Sequence, residues 1–290
     1  MLRKGALEEH LRNYMWRIWV ANYKIILQYE GTRYQGWQKQ GNTDNTIQSK
    51  LESVLSKMTG QKIEVDASGR TDAGVHALGQ VANFHINTKP NGADGGEAGT
   101  ENKKRSAGEI MEYMNFYLPE DIAVISIEEV PERFHSRLNA KGKTYCYRVV
   151  NSGIPHVFDR RYVHILEEKP DLRAMEKAVP FLLGTHDFKA FTSARKGKKS
   201  TIRTIDEIRI ERTAGMSMQI QGVQDEIRFW YSGNGFLYHM VRIMTGTLLE
   251  VGLHKRKPED IAEILESGRR ENAGELVPAK GLTLMEVRYK

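Results

Sequence analysis

The order in which strand and helix patterns follow one another most limits what this chain can fold into. Between residues 20 and 130, runs typical of strands are interrupted by two segments whose apolar residues recur at helical spacing. In order these are strand, helix, strand, strand, helix and strand, the split βαβ pattern of a ferredoxin-like unit. Strands are predicted at residues 20–29, 63–66, 80–86 and 122–130, and helices at residues 46–58 and around Ile110, Met114 and Tyr117.

The second half of the chain follows a similar order without repeating the sequence. The predicted fold class is therefore α+β, with two ferredoxin-like, RRM-like units forming an extended, mostly antiparallel sheet with a central active-site cleft. Strands are predicted at residues 143–150, 202–211, 216–220, 227–231 and 282–288, and helices at residues 171–183, 236–251 and 258–267.

These patterns divide the chain into an extension and two subdomains. We assign residues 1–19 to an N-terminal extension, residues 20–135 to an N-terminal subdomain and residues 136–290 to a C-terminal subdomain. The N-terminal subdomain carries a loop at residues 66–79 and an insertion at residues 87–108. Because the insertion has hardly an apolar residue, burial cannot offset the entropy lost on ordering it, and we expect it to be flexible.

Cysteine and histidine usage argues against several kinds of site. The single cysteine, Cys146, excludes an intrachain disulfide, makes a cysteine-based zinc site implausible and favours a reducing cytoplasm as the location. One cysteine also cannot supply the C-x-x-C of zinc-dependent base deaminases. The nine histidines show no metal-ligand spacing. We expect neither a metal nor a cofactor.

The charge balance favours a polyanionic partner. The chain has a formal charge of +6, and Lys and Arg release counterions from phosphates when they bind nucleic acid. Basic clusters at residues 195–199, with Arg203, and at residues 255–257 are either solvated surface or contacts to an RNA backbone. No apolar run approaches the ~20 residues of a membrane span, so no membrane contact is expected.

The loop at residues 66–79 concentrates small residues around one arginine and one carboxylate. Small residues allow tight turns and close approach of a backbone to a bulky ligand. Arg70 and Asp72 stand two positions apart and would share a face of extended chain. The loop is either a decorated hairpin turn or a site. A calcium loop starting at Asp66 is excluded, because Ala77 stands where a bidentate Glu is required.

The predicted helix at residues 236–251 carries His239 and Arg242 in otherwise apolar company. Three positions apart, they would share a helix face. Because an unpaired buried charge is costly, Arg242 is expected to form a structural ion pair, to extend its charged end to water, or to pair with Asp72. In the last case the guanidinium would hold the carboxylate ionised.

Tyr145 and Tyr147 lie two positions apart in the predicted strand at residues 143–150 and share a face. They either fill a face of the sheet or form a platform on which an unstacked base lies. The pattern alone leaves both possibilities open.

The stretch Ala-Ser-Gly-Arg-Thr-Asp-Ala-Gly-Val-His-Ala-Leu-Gly-Gln-Val at residues 67–81 resembles the signature of the tRNA pseudouridine synthase A family. The Asp of Gly-Arg-Thr-Asp is catalytic in that family, which implies this role for Asp72. The resemblance covers nearly the whole chain from about Tyr23. It departs from the family at the extension before Val20, at the long insertion and at Cys146. Further matches are Phe-Leu-Tyr-His-Met-Val-Arg at residues 236–242 and shorter ones at residues 34–38, 134–137 and 186–188.

The resemblance also implies a fold, a substrate and roles for three more residues. It implies the pseudouridine synthase fold, a two-fold homodimer, and modification of the tRNA anticodon stem-loop at about tRNA positions 38–40. Arg242 would be the partner of Asp72, and Tyr145 would stack on the uracil. Arg70 would fill the space left by the flipped nucleotide or contact that nucleotide.

Conversion of uridine to pseudouridine needs one nucleophile or base and no redox step, which suits these residues. The N-glycosidic bond breaks, the uracil turns, and its C5 joins C1′ of the ribose without gain or loss of atoms. Asp72 would attack the sugar, attack the base or remove a ribose proton, and the sequence leaves the three open. The competing hypothesis is a non-catalytic RNA-binding protein or chaperone on the same scaffold.

Overall fold

Two of the predicted strands, at residues 20–29 and 122–130, form an antiparallel pair in the computed structural model of the protein. The structure describes residues 20–88, 105–194, 200–213 and 226–290. The extension at residues 1–19, most of the insertion, the basic cluster at residues 195–199 and the strand predicted at residues 216–220 lie outside the described residues.

The chain divides into two compact units. Among the described residues, the first unit comprises residues 20–29, Trp37–Arg70 and Gly79–Asn139, and the second comprises Glu30–Gly36, Thr71–Leu78 and the chain from Ala140 onward. This differs from the expected division, because two short segments of the N-terminal half belong to the second unit. Asp72 and His76 form hydrogen bonds with residues beyond 160, and Glu30 in the other segment forms an ion pair with Arg161.

The described part of the first unit contains four strands and two helices. The elements are β1 (Val20–Tyr29), α1 (Ile47–Thr59), β2 (Val65–Ala67), β3 (His76–Asn87), α2 (Ala107–Tyr117) and β4 (Ile122–Val130). The strands follow the order β4-β1-β3, and β2 pairs antiparallel with β3. The first residues of β3 lie in the second unit and the remainder in the first.

Helix α1 illustrates how the sequence pattern becomes packing in this unit. Its apolar stripe of Ile47, Leu51 and Leu55 is almost completely buried. Burial of each such side chain stabilises the fold by about 1.5–3 kcal/mol. Thr46 is the N-cap, and its side chain accepts a hydrogen bond from the backbone N–H of Ser49.

The second unit repeats the strand order of the first. The elements are β5 (Gly142–Asn151), β6 (His164–Leu166), α3 (Leu172–Ala178), β7 (Gly184–Asp187), β8 (Ile202–Thr213), β9 (Glu226–Gly233), α4 (Met240–Gly252), α5 (Asp260–Ser267) and β10 (Leu282–Arg288). The strands follow the order β10-β5-β9-β8-β7, and β6 pairs in parallel with β5. In the first unit β4 lies beside β1, and β3 lies between β1 and β2. In the second unit β10 lies beside β5 in the same way, and β9 lies between β5 and β8.

The α+β class and the mostly antiparallel pairing are confirmed, with five α-helices in the described part of the chain. Several boundaries differ from prediction, and in three elements the difference is more than two residues. Strand β3 begins at His76, inside the predicted loop, because His76 and Ala77 pair in parallel with β10. The helix predicted at residues 171–183 is α3 followed by a 3₁₀ turn that contains Pro180. The helix predicted from residue 236 begins only at Met240.

Helix α4 is buried on nearly every side. Of its 13 residues, 12 are buried, including Arg242. None of the helices that the structure describes is both long and apolar enough to cross a membrane.

Candidate active site

The carboxylate of Asp72 lies near two basic side chains of the second unit. Nη1 of Arg242 is 3.4 Å from Oδ2 of Asp72, and Nε2 of His239 is 3.7 Å from the same oxygen. The side chain of Asp72 is 17% exposed, so the group is mostly removed from water. Of the three arrangements predicted for Arg242, the structure therefore supports pairing with Asp72.

Helix α4 and the segment before β10 hold Arg242 in place. Arg242 Nε donates a hydrogen bond of 2.8 Å to the backbone carbonyl of Val277. This second bond satisfies the part of the guanidinium that does not face Asp72. A guanidinium held at two points has little freedom to follow other partners, so its position relative to the carboxylate is well defined.

The sequence predicted that His239 lies inside the helix, and this prediction is wrong. It is the N-cap residue of α4, with a left-handed φ of 65° and no capping hydrogen bond from its side chain. Its ring stacks on Tyr238 with the centroids 3.6 Å apart. A non-glycine residue in this conformation costs about 1–3 kcal/mol and persists only where the surroundings hold it.

Burial raises the pKa of Asp72 above its ordinary value, and the charges of His239 and Arg242 act in the opposite direction. The sequence predicted that Arg242 favours the ionised carboxylate, and the charge of Arg242 does lower the pKa of Asp72. Burial is the larger effect, so the net direction is upward. A carboxylate shifted in this way by desolvation and specific charged partners is typical of a functional site.

Two glycines that precede the loop bring a second segment against its backbone. A Cβ atom on Gly31 would lie 2.0 Å from the carbonyl oxygen of Val75. Gly36 has a φ of +89°, and a Cβ there would lie 2.8 Å from the carbonyl oxygen of Thr71. Both glycines therefore pack against the backbone beside Asp72.

His76 ties the end of the loop to three other segments. Its Nδ1 accepts a hydrogen bond of 3.0 Å from the N–H of Gly31. Its Nε2 lies 2.8 Å from the carbonyl oxygen of Arg161 and 3.1 Å from that of Lys280. These contacts fit a neutral ring with the proton on Nε2, and burial lowers the pKa of His76. The sequence did not identify His76 as a support for the loop.

The two tyrosines of β5 have different surroundings. The hydroxyl of Tyr147 donates a hydrogen bond of 2.8 Å to the backbone carbonyl of Pro278, and the side chain is fully buried. Tyr145 is 8% exposed, and its ring meets the ring of Phe236 edge to face at a centroid distance of 5.2 Å. Tyr147 is therefore a core residue, and the role of Tyr145 as the substrate contact stays a prediction.

Arg70 and the basic cluster at residues 255–257 differ in their ion pairs. Arg70 belongs to the first unit, is exposed, and forms no ion pair with any residue that the structure describes. In the cluster at residues 255–257, Lys255 pairs with Glu168 and Arg256 with Glu250. Part of this cluster is thus committed to ion pairs within the protein.

Comparison with known proteins identifies the family. A family model described as tRNA pseudouridine synthase matches residues 25–139 and 178–290. A tRNA pseudouridine synthase A from Bacillus sp. (strain KSM-64) is 46% identical over 92% of this chain and 99% of its own length. A tRNA pseudouridine synthase A 1 from Clostridium tetani is 45% identical over 93% of this chain and 100% of its own length. The chain therefore belongs to the tRNA pseudouridine synthase family, whose members are isomerases.

Proposed function

We propose that this protein converts uridine to pseudouridine in the anticodon stem-loop of tRNA, at about tRNA positions 38–40, with Asp72 as the catalytic residue. The observation that carries the proposal is the mostly buried Asp72 carboxylate, approached by Arg242 and His239 at a single oxygen. The match of 92% and 93% of the chain to proteins named tRNA pseudouridine synthase A and tRNA pseudouridine synthase A 1 supports tRNA as the substrate. The stem-loop position rests on the sequence resemblance.

In this proposal each residue has a distinct task. The target nucleotide leaves its stack, and Arg70, exposed on the first unit, fills the vacated space or contacts the flipped nucleotide. Tyr145 stacks on the uracil and assists removal of the C5 proton. Arg242 holds the Asp72 carboxylate through Oδ2.

Asp72 starts the reaction by one of three routes, namely attack on C1′ of the ribose, attack on the base, or removal of a ribose proton. In each route the N-glycosidic bond breaks, C5 bonds to C1′, the C5 proton is released to solvent, and N1 takes up a proton. The overall reaction gains and loses no atoms, so the enzyme needs no co-substrate. We further propose that the enzyme acts as a cytoplasmic homodimer.

The decisive test compares the wild-type protein with Asp72→Asn on tRNA labelled with tritium at C5 of uridine. We expect the wild type to release tritium and to place pseudouridine in the anticodon stem-loop. Asp72→Asn should bind the same tRNA but form no product, because the amide cannot act as a nucleophile or base. Normal tritium release from Asp72→Asn would exclude Asp72 as the catalytic residue.

The same assay separates the enzyme from a non-catalytic RNA-binding protein. A wild-type protein that binds tRNA tightly but forms no pseudouridine would support the binding protein instead. Mapping of the modified nucleotides tests the position independently of Asp72, since pseudouridine outside the anticodon stem-loop would change only the proposed target.

A further inference from the structure

His239 combines two unfavourable features beside Asp72. Its backbone is left-handed, with a φ of 65°. Its Nδ1 is buried and has no hydrogen-bond partner among the residues that the structure describes. Strained residues and unpaired buried polar atoms concentrate at functional sites, so this combination calls for a functional explanation.

Capping of the helix does not explain a histidine at this position. His239 is the N-cap of α4, but its side chain makes no capping hydrogen bond, and Ser, Thr, Asp or Asn is the usual choice there. The preceding residue is held in place, since Thr192 Oγ1 donates a hydrogen bond of 2.9 Å to the carbonyl of Tyr238. The left-handed turn then directs the imidazole toward Asp72, with Nε2 3.7 Å from Oδ2.

We propose that His239 is a positioning residue for the proposed reaction, on which this inference rests, and that His239 and Arg242 together fix Oδ2 of Asp72. Both contacts use the same oxygen, at 3.7 Å and 3.4 Å. The other oxygen, Oδ1, is then the one presented to the substrate. Two supports on one oxygen define both the position and the rotation of the carboxylate, which a single contact would not do.

The electrostatic surroundings of His239 agree with this role. The groups that act on it are Asp72, Arg242 and Arg270, and its ring stacks on Tyr238. Burial lowers the pKa of His239, the charge of Asp72 opposes this, and the two arginines add to it. Nε2 is the ring nitrogen that lies near Oδ2, so an N–H there supports the carboxylate in both the neutral and the protonated ring.

The test compares His239→Asn and His239→Gly with the same changes at His254. Both replacements tolerate a left-handed backbone, so neither adds strain. His254 is a matched control, because it also has a left-handed φ of 56° and its Nε2 also lies 3.7 Å from a carboxylate oxygen, that of Asp171. Its side chain is 71% exposed, however, and it follows the C-terminal end of α4.

We expect both His239 variants to lose roughly 10- to 100-fold in kcat, while KM for tRNA changes much less. The acid limb of the pH–rate profile of His239→Asn should move to higher pH, because one of the two groups that lower the pKa of Asp72 is gone. Free imidazole should partly restore His239→Gly but not Asp72→Asn. The His254 variants should retain the kcat and pH profile of the wild type.

Wild-type kcat and an unchanged pH profile in His239→Asn would overturn the inference, as would an equal loss in His254→Asn. If His239→Asn does not fold, His239→Gly and its response to imidazole decide the question. A wild-type protein that forms no pseudouridine would overturn the proposed function and this inference with it. An active wild type together with fully active His239 variants would overturn this inference alone.

Discussion

Arg242 and Asp72 are 170 positions apart in the chain, yet Nη1 of Arg242 lies 3.4 Å from Oδ2 of Asp72. The guanidinium also donates through Nε to the carbonyl of Val277, at 2.8 Å. One side chain thus joins the loop that carries the carboxylate to the segment before β10. Because Arg242 makes both contacts, we expect its replacement to change both the free energy of unfolding and kcat.

Arg242→Met should raise the pKa of Asp72 further, because it removes a charge that lowers it. The acid limb of the pH–rate profile should then move to higher pH, and kcat should fall. Loss of the donor to Val277 should also lower the free energy of unfolding by about 1–3 kcal/mol, measured by urea titration. Arg242→Lys keeps the charge and should show the smaller shift in pH. An unchanged pH profile in Arg242→Met would contradict the pairing.

Asp72→Asn should change how stability depends on pH. Because burial raises the pKa of Asp72 in the folded state, its protonated carboxyl stabilises the folded wild type, fully so at pH values below the unfolded-state pKa. This stabilisation is lost as the pH rises through the folded-state pKa. Asn cannot ionise, so the variant should gain stability relative to the wild type between about pH 3.5 and about pH 7. Urea unfolding at both pH values measures this, with the exposed Asp44→Asn as control. A difference that shrinks with rising pH would show that the sign is wrong.

Gly31→Ala should displace the loop that carries Asp72. The new Cβ would lie 2.0 Å from the carbonyl oxygen of Val75, and backbone must move to admit it. We expect a loss of about 1–3 kcal/mol in the free energy of unfolding and a fall in kcat of roughly tenfold or more. Gly41→Ala is the matched control, because a Cβ there meets nothing within 4 Å. Equal kcat values for the two variants would argue against a supporting role for Gly31.

Tyr145 and Tyr147 should separate activity from stability. Tyr147→Phe removes the hydroxyl that donates to Pro278, so it should cost about 1–3 kcal/mol in unfolding free energy while leaving kcat near the wild-type value. Tyr145→Leu should lower kcat far more than its effect on folding explains, because it removes the proposed stacking surface for the uracil. Tritium release and urea titration on both variants check this. A fall in kcat for Tyr147→Phe, with only a loss of stability for Tyr145→Leu, would make Tyr147 the substrate contact and Tyr145 the structural residue.

Arg70→Ala should leave folding unchanged and impair the reaction. The side chain is exposed and has no ion pair among the described residues, so unfolding free energy should change by less than about 0.5 kcal/mol. We expect a fall in kcat/KM for tRNA if Arg70 contacts the flipped nucleotide or fills its place. Arg133→Ala, another exposed arginine of the first unit, is the control. Similar kcat/KM values for the two variants would remove Arg70 from the site.

Local sequence patterns predicted much of the fold. Strands β1, β4 and β10 begin and end where their patterns predicted, at Val20–Tyr29, Ile122–Val130 and Leu282–Arg288. Strand and helix periodicity depends on residues close together in the chain, so such elements can be read without knowledge of the fold. Strand β3 was predicted to start too late, because pairing with β10 extends it to His76.

By itself the sequence determined the order of the elements, the α+β class, the family and the four candidate residues. Only the tertiary structure decided that the Asp72 segment packs within the second unit, that His239 is a left-handed cap aimed at Asp72, and that Gly31 packs against the loop backbone. The reason is physical. The distance between Asp72 and Arg242, and the space around a glycine, depend on how distant segments pack, and no local pattern encodes that arrangement.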